Sequence, residues 1–585
     1  MKEIILRCEA PLGPVTPNIG TLFLRNASQF GSQPAFAERS EGKYRYWSWE
    51  ILTQDILRAS TFFRNKGLVA GDRVALVATN SHAKLVAEMA VMSSGLVSVP
   101  IFIGYPKALV AQLIAFSKVR FLMIENFELL RGLPVEMLPK TIVLLKGQKE
   151  KLPGFKGELL CFDEILGNGS PEEVEKTKTI FKAVPENTLS LIMFTSGTSG
   201  FPKGVQLTHR NLMSQQRALE ILWKPEPGMR FLCYLPWHHS FGGLFERFFA
   251  LHSGGCLAID DSCGKNVDRL LENFAEIKPH LFFSVPKIYQ EIVSRVLKSH
   301  EIEQIFFHKD LKYVFTAAAP LPLGTSEVFK KKNIPVVEGW GLTETSPCCT
   351  LTERSLEREP GVVGFPIPGV EIRLGDENEI CVRGPNVMLG YVDQPEATAN
   401  VLTSDGWFST GDIGELTTTG VRILSRKDRM FKLNNGEKIF PAVIEERIKS
   451  RCDYVKHAYV FGRGQVHPCV ALFPNQELFS AKKEGDECKN PTDCEQLAQC
   501  LKECLEKLNE KVAARFERVS IAAVIRHEPT LEKGELTPSF KLVPSRIQEN
   551  FETYLIAIEK GLREKLPEDA WLVSLEAKDS KRKSK

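Results

Sequence analysis

The segment Leu191 to Val205, LIMFTSGTSGFPKGV, runs an apolar strand into Thr195, Ser196, Gly197, Thr198, Ser199 and Gly200, followed by Pro202, Lys203 and Gly204. Small residues with hydroxyls and free amides can wrap a polyphosphate, and the lysine adds a compact positive charge. The spacing is not that of a Walker P-loop, because Phe201 and Pro202 separate Gly200 from Lys203. A Gly/Ser surface turn would leave the lysine and the flanking strand as coincidences.

The elements that must position this loop follow from the pattern around it. Apolar strands such as 74–78 and 141–145 alternate with helical stretches such as 81–94, the pattern of helices packed on both faces of parallel sheets. Leu85 to Ile103 is apolar enough to raise the question of a membrane span, yet it carries Glu88, Gly95 and Pro100. A buried helix closed at Gly95 and a short strand into Pro100 fit better. From Val363 to Gly420 the chain turns to short strands punctuated by Gly, Pro and Asp, the pattern of a small antiparallel barrel or sheet. Past Arg426 it is mixed again, with helices expected at 443–451, 493–515 and 547–566. These patterns predict residues 1–426 as one domain and 427–585 as a smaller one.

Composition agrees with a multidomain globular protein. The chain has 585 residues, 43% hydrophobic and 25% charged, too many for one core. Lysine and arginine (75) nearly balance aspartate and glutamate (72), so no basic field points to nucleic acid. Among 14 cysteines no Cys-x-x-Cys pair occurs, which predicts reduced, packed thiols in a cytosolic compartment rather than zinc or disulfides. The start, MKEIILRCEAPLGP, lacks the apolar core of a secretory signal, and a cytoplasmic location is expected.

Six segments in order, TSGTSGFPKGV, YLPWHHSFGG, TAAAPLP, GWGLTETSP, STGDIGEL and SRKDRMFKLNNGEKIFPAVIEE, resemble the adenylate-forming superfamily from about Ala35 to the carboxyl-terminal helix. LFERFFAL, KLNNGEKIFP and LTPSFK make it most similar to the long-chain fatty acyl-CoA synthetases. The resemblance implies a large α/β domain of two subdomains plus a small β-barrel, and a smaller mobile α+β carboxyl-terminal domain. It also implies ATP, Mg²⁺ and CoA: a carboxylate attacks the α-phosphate of ATP, and a thiol then displaces AMP.

The resemblance carries roles onto particular residues. Thr195 to Gly200 and Lys203 would hold the β- and γ-phosphates, Glu344 and Thr195 would hold Mg²⁺, and Thr343 would bond the α-phosphate. Trp340, where the family more often has Tyr, would stack on adenine beside Gly341, with Ala317, Ala318 and Ala319 leaving room for its edge. Asp412 and Arg426 would bind the ribose, and Asp428 would be the hinge. Lys541 would be the adenylation lysine, although Arg546 stands farther from it than the basic residue that usually follows. Lys432 would face the thioester-forming site. His239 would gate the acyl pocket and orient the carboxylate. Ser240 stands where amino-acid-activating relatives carry an Asp, so a charged amine lacks an obvious partner, and Phe241, Leu244, Phe245, Phe248 and Phe249 could line an apolar channel instead.

These readings point to a ligase for a medium- to long-chain fatty acid. Loading of an acyl carrier protein uses the same chemistry, and a non-catalytic binding scaffold is the alternative of another class. The ending AKDSKRKSK brings Lys578, Lys581, Arg582, Lys583 and Lys585 together, which suggests weak, salt-sensitive peripheral attachment to anionic membranes, with a frayed, solvated tail as the alternative.

Overall fold

The computed structural model describes residues 4–167, 169–195, 201–317, 321–359, 361–480, 491–530, 532–537 and 541–575. Two large sheets form the first part of the chain. In the first, Val97–Pro100, Arg73–Val77, Phe121–Ile124, Thr141–Leu144 and Glu158–Cys161 run parallel, and the hairpin Leu189–Thr195/Lys203–Thr208 extends one edge. Such strands are buried on both faces, and Val97–Pro100 has no exposed residue. The stretch that raised the membrane question is a helix, His82–Ser93, capped by the Ser81 hydroxyl and followed by Gly95 at φ +75°. Among the described residues no helix is long and apolar enough to cross a membrane.

The second sheet pairs Arg230–Cys233, Cys256–Ile259, Leu281–Ser284, Tyr313–Thr316 and Val336–Trp340 in parallel, with Pro34–Ser40 and Lys43–Ser48 closing one edge. Both sheets thus deliver motif residues at the carboxyl ends of strands: Thr195 from the first, Trp340 from the second. A five-stranded antiparallel sheet follows, in the order Ile5–Arg7, Glu371–Leu374, Glu379–Arg383, Phe408–Thr417, Gly420–Arg426. The amino-terminal strand in this sheet was not foreseen, because three residues carry too little periodicity to read.

From Phe431 onward the chain builds separate cores around a four-stranded sheet, Val455–Phe461, Cys469–Pro474, Ile521–Ile525 and Ala570–Ser574. Helices Pro441–Lys449 and Cys494–Lys511 contribute to one core, and Ile547, Phe551, Leu555 and Ile558 to the other. The single helix expected over 547–566 is instead two, Pro544–Asn550 and Glu552–Glu559. The break is at Phe551, whose ring is buried against Phe473 at 5.2 Å and His527 at 4.9 Å, so packing overrides helical continuity. Gly561, at φ +62°, then turns the chain away. Among the described residues the cysteines form no disulfide, and most of them are buried.

Candidate active site

Strand pairing builds the phosphate end of the site. Thr195 and Lys203 are cross-strand partners, and the Thr195 hydroxyl donates to the Lys203 carbonyl at 3.5 Å, which closes the base of the loop between them. Ser196, Gly197, Thr198, Ser199 and Gly200 lie outside the described residues, as do Ala318 and Ala319. Lys203 points across the ring of Tyr391, 4.8 Å from its centroid, and the Tyr391 hydroxyl donates to Glu344 Oε1 at 2.9 Å. Tyr391 therefore ties together the lysine and the carboxylate that the sequence placed in one phosphate and metal site. Burial and the Glu344 carboxylate both hold its phenol protonated.

Sequence reasoning missed Tyr391. The available signal was a tyrosine directly after Gly390, in a two-residue strand that pairs with Val205 and Gln206 beside Lys203. Hydrogen bonds to charged groups contribute about 1.5–3 kcal/mol. Tyr391→Phe is thus expected to lower kcat/KM for ATP-dependent pyrophosphate release about tenfold while leaving the thermal midpoint unchanged. Unaltered kinetics would detach Tyr391 from the phosphate end.

The nucleoside end rests on two sheets. Thr343 and Glu344 sit in a 3₁₀ turn, Thr343–Thr345, held by the Thr345 hydroxyl, which accepts from the Leu342 amide at 2.9 Å. Gly341 admits no side chain, since a Cβ there would fall 1.7 Å from the Pro347 carbonyl oxygen. Asp412 and Arg426 are cross-strand partners in the antiparallel sheet. The Asp412 carboxylate accepts from Arg426 Nη1 at 3.0 Å on one oxygen and from Trp340 Nε1 at 2.9 Å on the other. Burial pushes this carboxyl above its ordinary range, against the opposing pull of Arg426 and Trp340. Each oxygen keeps a lone pair for a further donor. The tryptophan thus removes a phenol but supplies an indole donor to the Asp412 carboxylate.

His239 lies beside a six-residue π-helix, Phe241–Glu246. Gly242 and Gly243 let that turn press onto the preceding strand end, where Cβ atoms would come 2.7 Å from the Leu235 carbonyl and 2.1 Å from that of Trp237. His239 Nδ1 accepts from the Phe241 amide at 3.3 Å. A neutral ring accepting at Nδ1 carries its proton on Nε2, which makes it a donor. Burial, and then the Lys541 charge, lower its pKa to about 4. Between about pH 6.5, the unfolded value, and 4, the unfolded chain binds the proton and the folded one does not, so this group's contribution to stability falls as pH falls through that window. An NMR titration of the His239 ring is expected to show no inflection between about pH 6 and 8; one near 6.5 would refute its burial beside a cation.

Phe241, Leu244, Phe245, Phe248 and Phe249 are all buried behind this turn. Phe241, Phe245 and Phe249 pack ring against ring, with Phe245 4.6 Å from Phe315 and Phe249 4.9 Å from Trp223. Glu246 is buried too, accepting from the Cys233 thiol at 2.9 Å, and burial raises its pKa well above the carboxylate range.

The carboxyl-terminal domain supplies one of its two lysines to this mouth. Lys541 presents surface to solvent, yet surrounding protein lowers its pKa, with Asp412 raising it and Arg426 lowering it further. The Lys541 amide donates to the Thr537 hydroxyl at 3.1 Å and its carbonyl accepts from the Thr537 amide at 2.8 Å, so the turn carrying it is closed on itself. Lys432 is exposed on the hairpin Phe431–Lys432/Lys438–Ile439, where its carbonyl accepts from the Gly464 amide. The structure brings Lys541, Asp412, Arg426, Trp340 and His239 together and leaves Lys432 outside. Across the junction, Lys427 pairs with Glu379 at 2.8 Å and Lys438 with Glu377 at 3.2 Å.

Comparison with known proteins identifies the family. Residues 23–392 match the AMP-binding enzyme family and residues 428–558 match the AMP-binding enzyme carboxyl-terminal domain. The chain belongs to the AMP-binding enzyme family and is an adenylate-forming ligase. It is similar to long-chain-fatty-acid–CoA ligase 5 of Mus musculus, 28% identical over 76% of this chain and 72% of that protein. It is also similar to probable acyl-activating enzyme 16, chloroplastic, of Arabidopsis thaliana, 24% identical over 93% and 89%. Its fold matches o-succinylbenzoate CoA synthetase of Bacillus subtilis in complex with the acyl-adenylate intermediate, with a TM-score of 0.70, 19% identity, and 92% of this chain and 98% of that one covered.

Proposed function

We propose that this protein activates a medium- to long-chain fatty acid with ATP, forming acyl-adenylate and pyrophosphate, and then passes the acyl group to CoA with release of AMP. The observation that carries this reading is the Asp412–Arg426 pair, on which, as on His239, the charge of Lys541 acts from the carboxyl-terminal domain. In the first step a carboxylate oxygen forms the new bond to the α-phosphorus and the bond to pyrophosphate breaks. Negative charge gathers at phosphorus, and the chain meets it with fixed donors and cations. Lys203 holds the outer phosphates, Thr343 bonds the α-phosphate, and Lys541 bridges the carboxylate and α-phosphate oxygens. Trp340 offers its ring face to adenine while its indole N–H keeps Asp412 aimed at the ribose, with Arg426 on the other carboxylate oxygen. His239 Nε2–H orients the incoming carboxylate.

The donor set also suits Mg²⁺. Among the described residues no group of three or more His, Cys, Asp or Glu could hold a metal, so an ion here would take most of its oxygens from phosphate and water, as Mg²⁺ prefers. Glu344 and Thr195 would hold it, and it would neutralise charge on the phosphates.

The fatty acyl preference rests on side-chain type. Ser240 offers no carboxylate to an ammonium, Glu246 is buried where its charged form is disfavoured, and the wall behind His239 is aromatic. Acyl transfer to a carrier-protein thiol is the second reading, since Lys432 favours a thiol acceptor without choosing between carriers. Pyrophosphate release measured with fatty, aromatic and amino acids, with and without CoA, tests the proposal. Release with long-chain fatty acids, and thioester only when CoA is present, is expected; strongest release with an amino or aromatic acid would overturn it.

A further inference from the structure

A cleft of about 440 Å³ opens in the carboxyl-terminal domain, where helices Pro441–Lys449 and Cys494–Lys511 end side by side. Its charged lining is entirely cationic: Arg447 and Arg451 from one side, Lys507 and Lys511 from the other, with Leu508 and Val512 forming an apolar wall. None of the residues assigned above to the nucleotide, the acyl group or the hinge lines it. Arg447 is paired with Glu517 at 2.6 Å. Among the described residues, no carboxylate lies within ion-pair distance of Lys507 or Lys511.

Helix dipoles account for part of this arrangement, because cations are favoured in last turns, where Arg447 and Lys511 lie. They do not account for Lys507, one turn earlier, or for Arg451, past the end of its helix. Lys507 and Lys511, four residues apart, share a helix face, and like charges at that spacing destabilise a helix. Two such lysines without a carboxylate partner among the described residues, facing the arginine side of the cleft, make a concave positive face that favours a compact anion.

We propose that this cleft binds a phosphomonoester. Such a group carries close to two negative charges near neutral pH and three strong acceptor oxygens, which matches cations arriving from two sides. A guanidinium fork can take two phosphate oxygens, while the lysines act as point charges. The Leu508–Val512 wall accommodates the carbon part of the ester. The same headgroup chemistry is presented by soluble glycerol 3-phosphate and by phosphatidic acid in a bilayer. The proposal does not depend on the acyl specificity given above.

The test uses the full chain and two probes: glycerol 3-phosphate by calorimetry, and phosphatidylcholine vesicles with and without phosphatidic acid by co-sedimentation. The doubly substituted Lys507→Glu/Lys511→Glu protein is compared with the native chain and with a chain ending at Ala577, which lacks the basic tail. Pyrophosphate release serves as the folding control and is expected to be unchanged by the double substitution. Binding to either probe should fall about 30-fold in the double variant, from about fivefold for each cation lost. Loss with glycerol 3-phosphate alone identifies a soluble phosphate ester as the ligand, and loss with vesicles identifies the lipid headgroup. Absence of binding to both probes, binding unaffected by charge reversal, or binding lost only in the chain ending at Ala577 would overturn the proposal.

Discussion

Lys541→Ala is expected to lower acyl-adenylate formation by about 10²–10³-fold, the usual cost of removing one fixed group that meets transition-state charge. Thioester formation from supplied acyl-adenylate should continue. The reason is electrostatic: Lys541 belongs to the carboxyl-terminal domain yet lies near enough for its charge to act on Asp412, Arg426 and His239 of the other part of the chain. Its ammonium acts on developing charge in one half-reaction only, and so that half-reaction alone should respond. The measurement is pyrophosphate release beside CoA-dependent consumption of acyl-adenylate. Equal loss in both would show that Lys541 holds the domain in place rather than acting on phosphate.

The converse substitutions, Asp428→Pro and Lys432→Ala, should spare pyrophosphate release and cut acyl transfer to CoA by about 10²-fold, as for a displaced catalytic group. Asp428 lies in the turn after Gly420–Arg426, where the Arg429 and Met430 amides both donate to the Arg426 carbonyl at 3.1 Å. Among the described residues the Asp428 amide makes no backbone hydrogen bond, so proline removes none in this arrangement. It does fix φ within the short turn that joins the two cores. Lys432, exposed here, reaches an acyl-adenylate only if the domain turns about that point. Normal thioester formation in Asp428→Pro would place the hinge elsewhere.

The pyrophosphate panel, Tyr391→Phe and the His239 titration approach the same site from its substrate, its phosphate end and its carboxylate end. The basic tail, read either as a weak membrane attachment or as a solvated end, lies outside the described residues from Glu576 onward, and the vesicle comparison with the chain ending at Ala577 measures it directly.

The sequence by itself determined the chemistry. The Thr195 to Lys203 segment is legible because small hydroxyl residues, glycines and a lysine at fixed spacing after an apolar strand are recorded locally, whereas Glu344, Asp412 and Lys541 stand out only through the resemblance of the motifs around them. It also determined the alternation of strand and helix, down to the helix capped at Ser81, since periodicity and capping act over a few residues. Only the tertiary structure decided who touches whom. Trp340 and Asp412 are far apart in the chain and on different sheets, and their hydrogen bond follows from how those sheets pack. Tyr391 bridges Lys203 and Glu344 only because a two-residue strand docks beside the phosphate-loop hairpin. The break at Phe551 follows from a buried ring contact across the domain, and the cationic cleft from two helices ending together. Each depends on residues remote in sequence, and the burial that fixes them leaves no period or spacing in the chain to read.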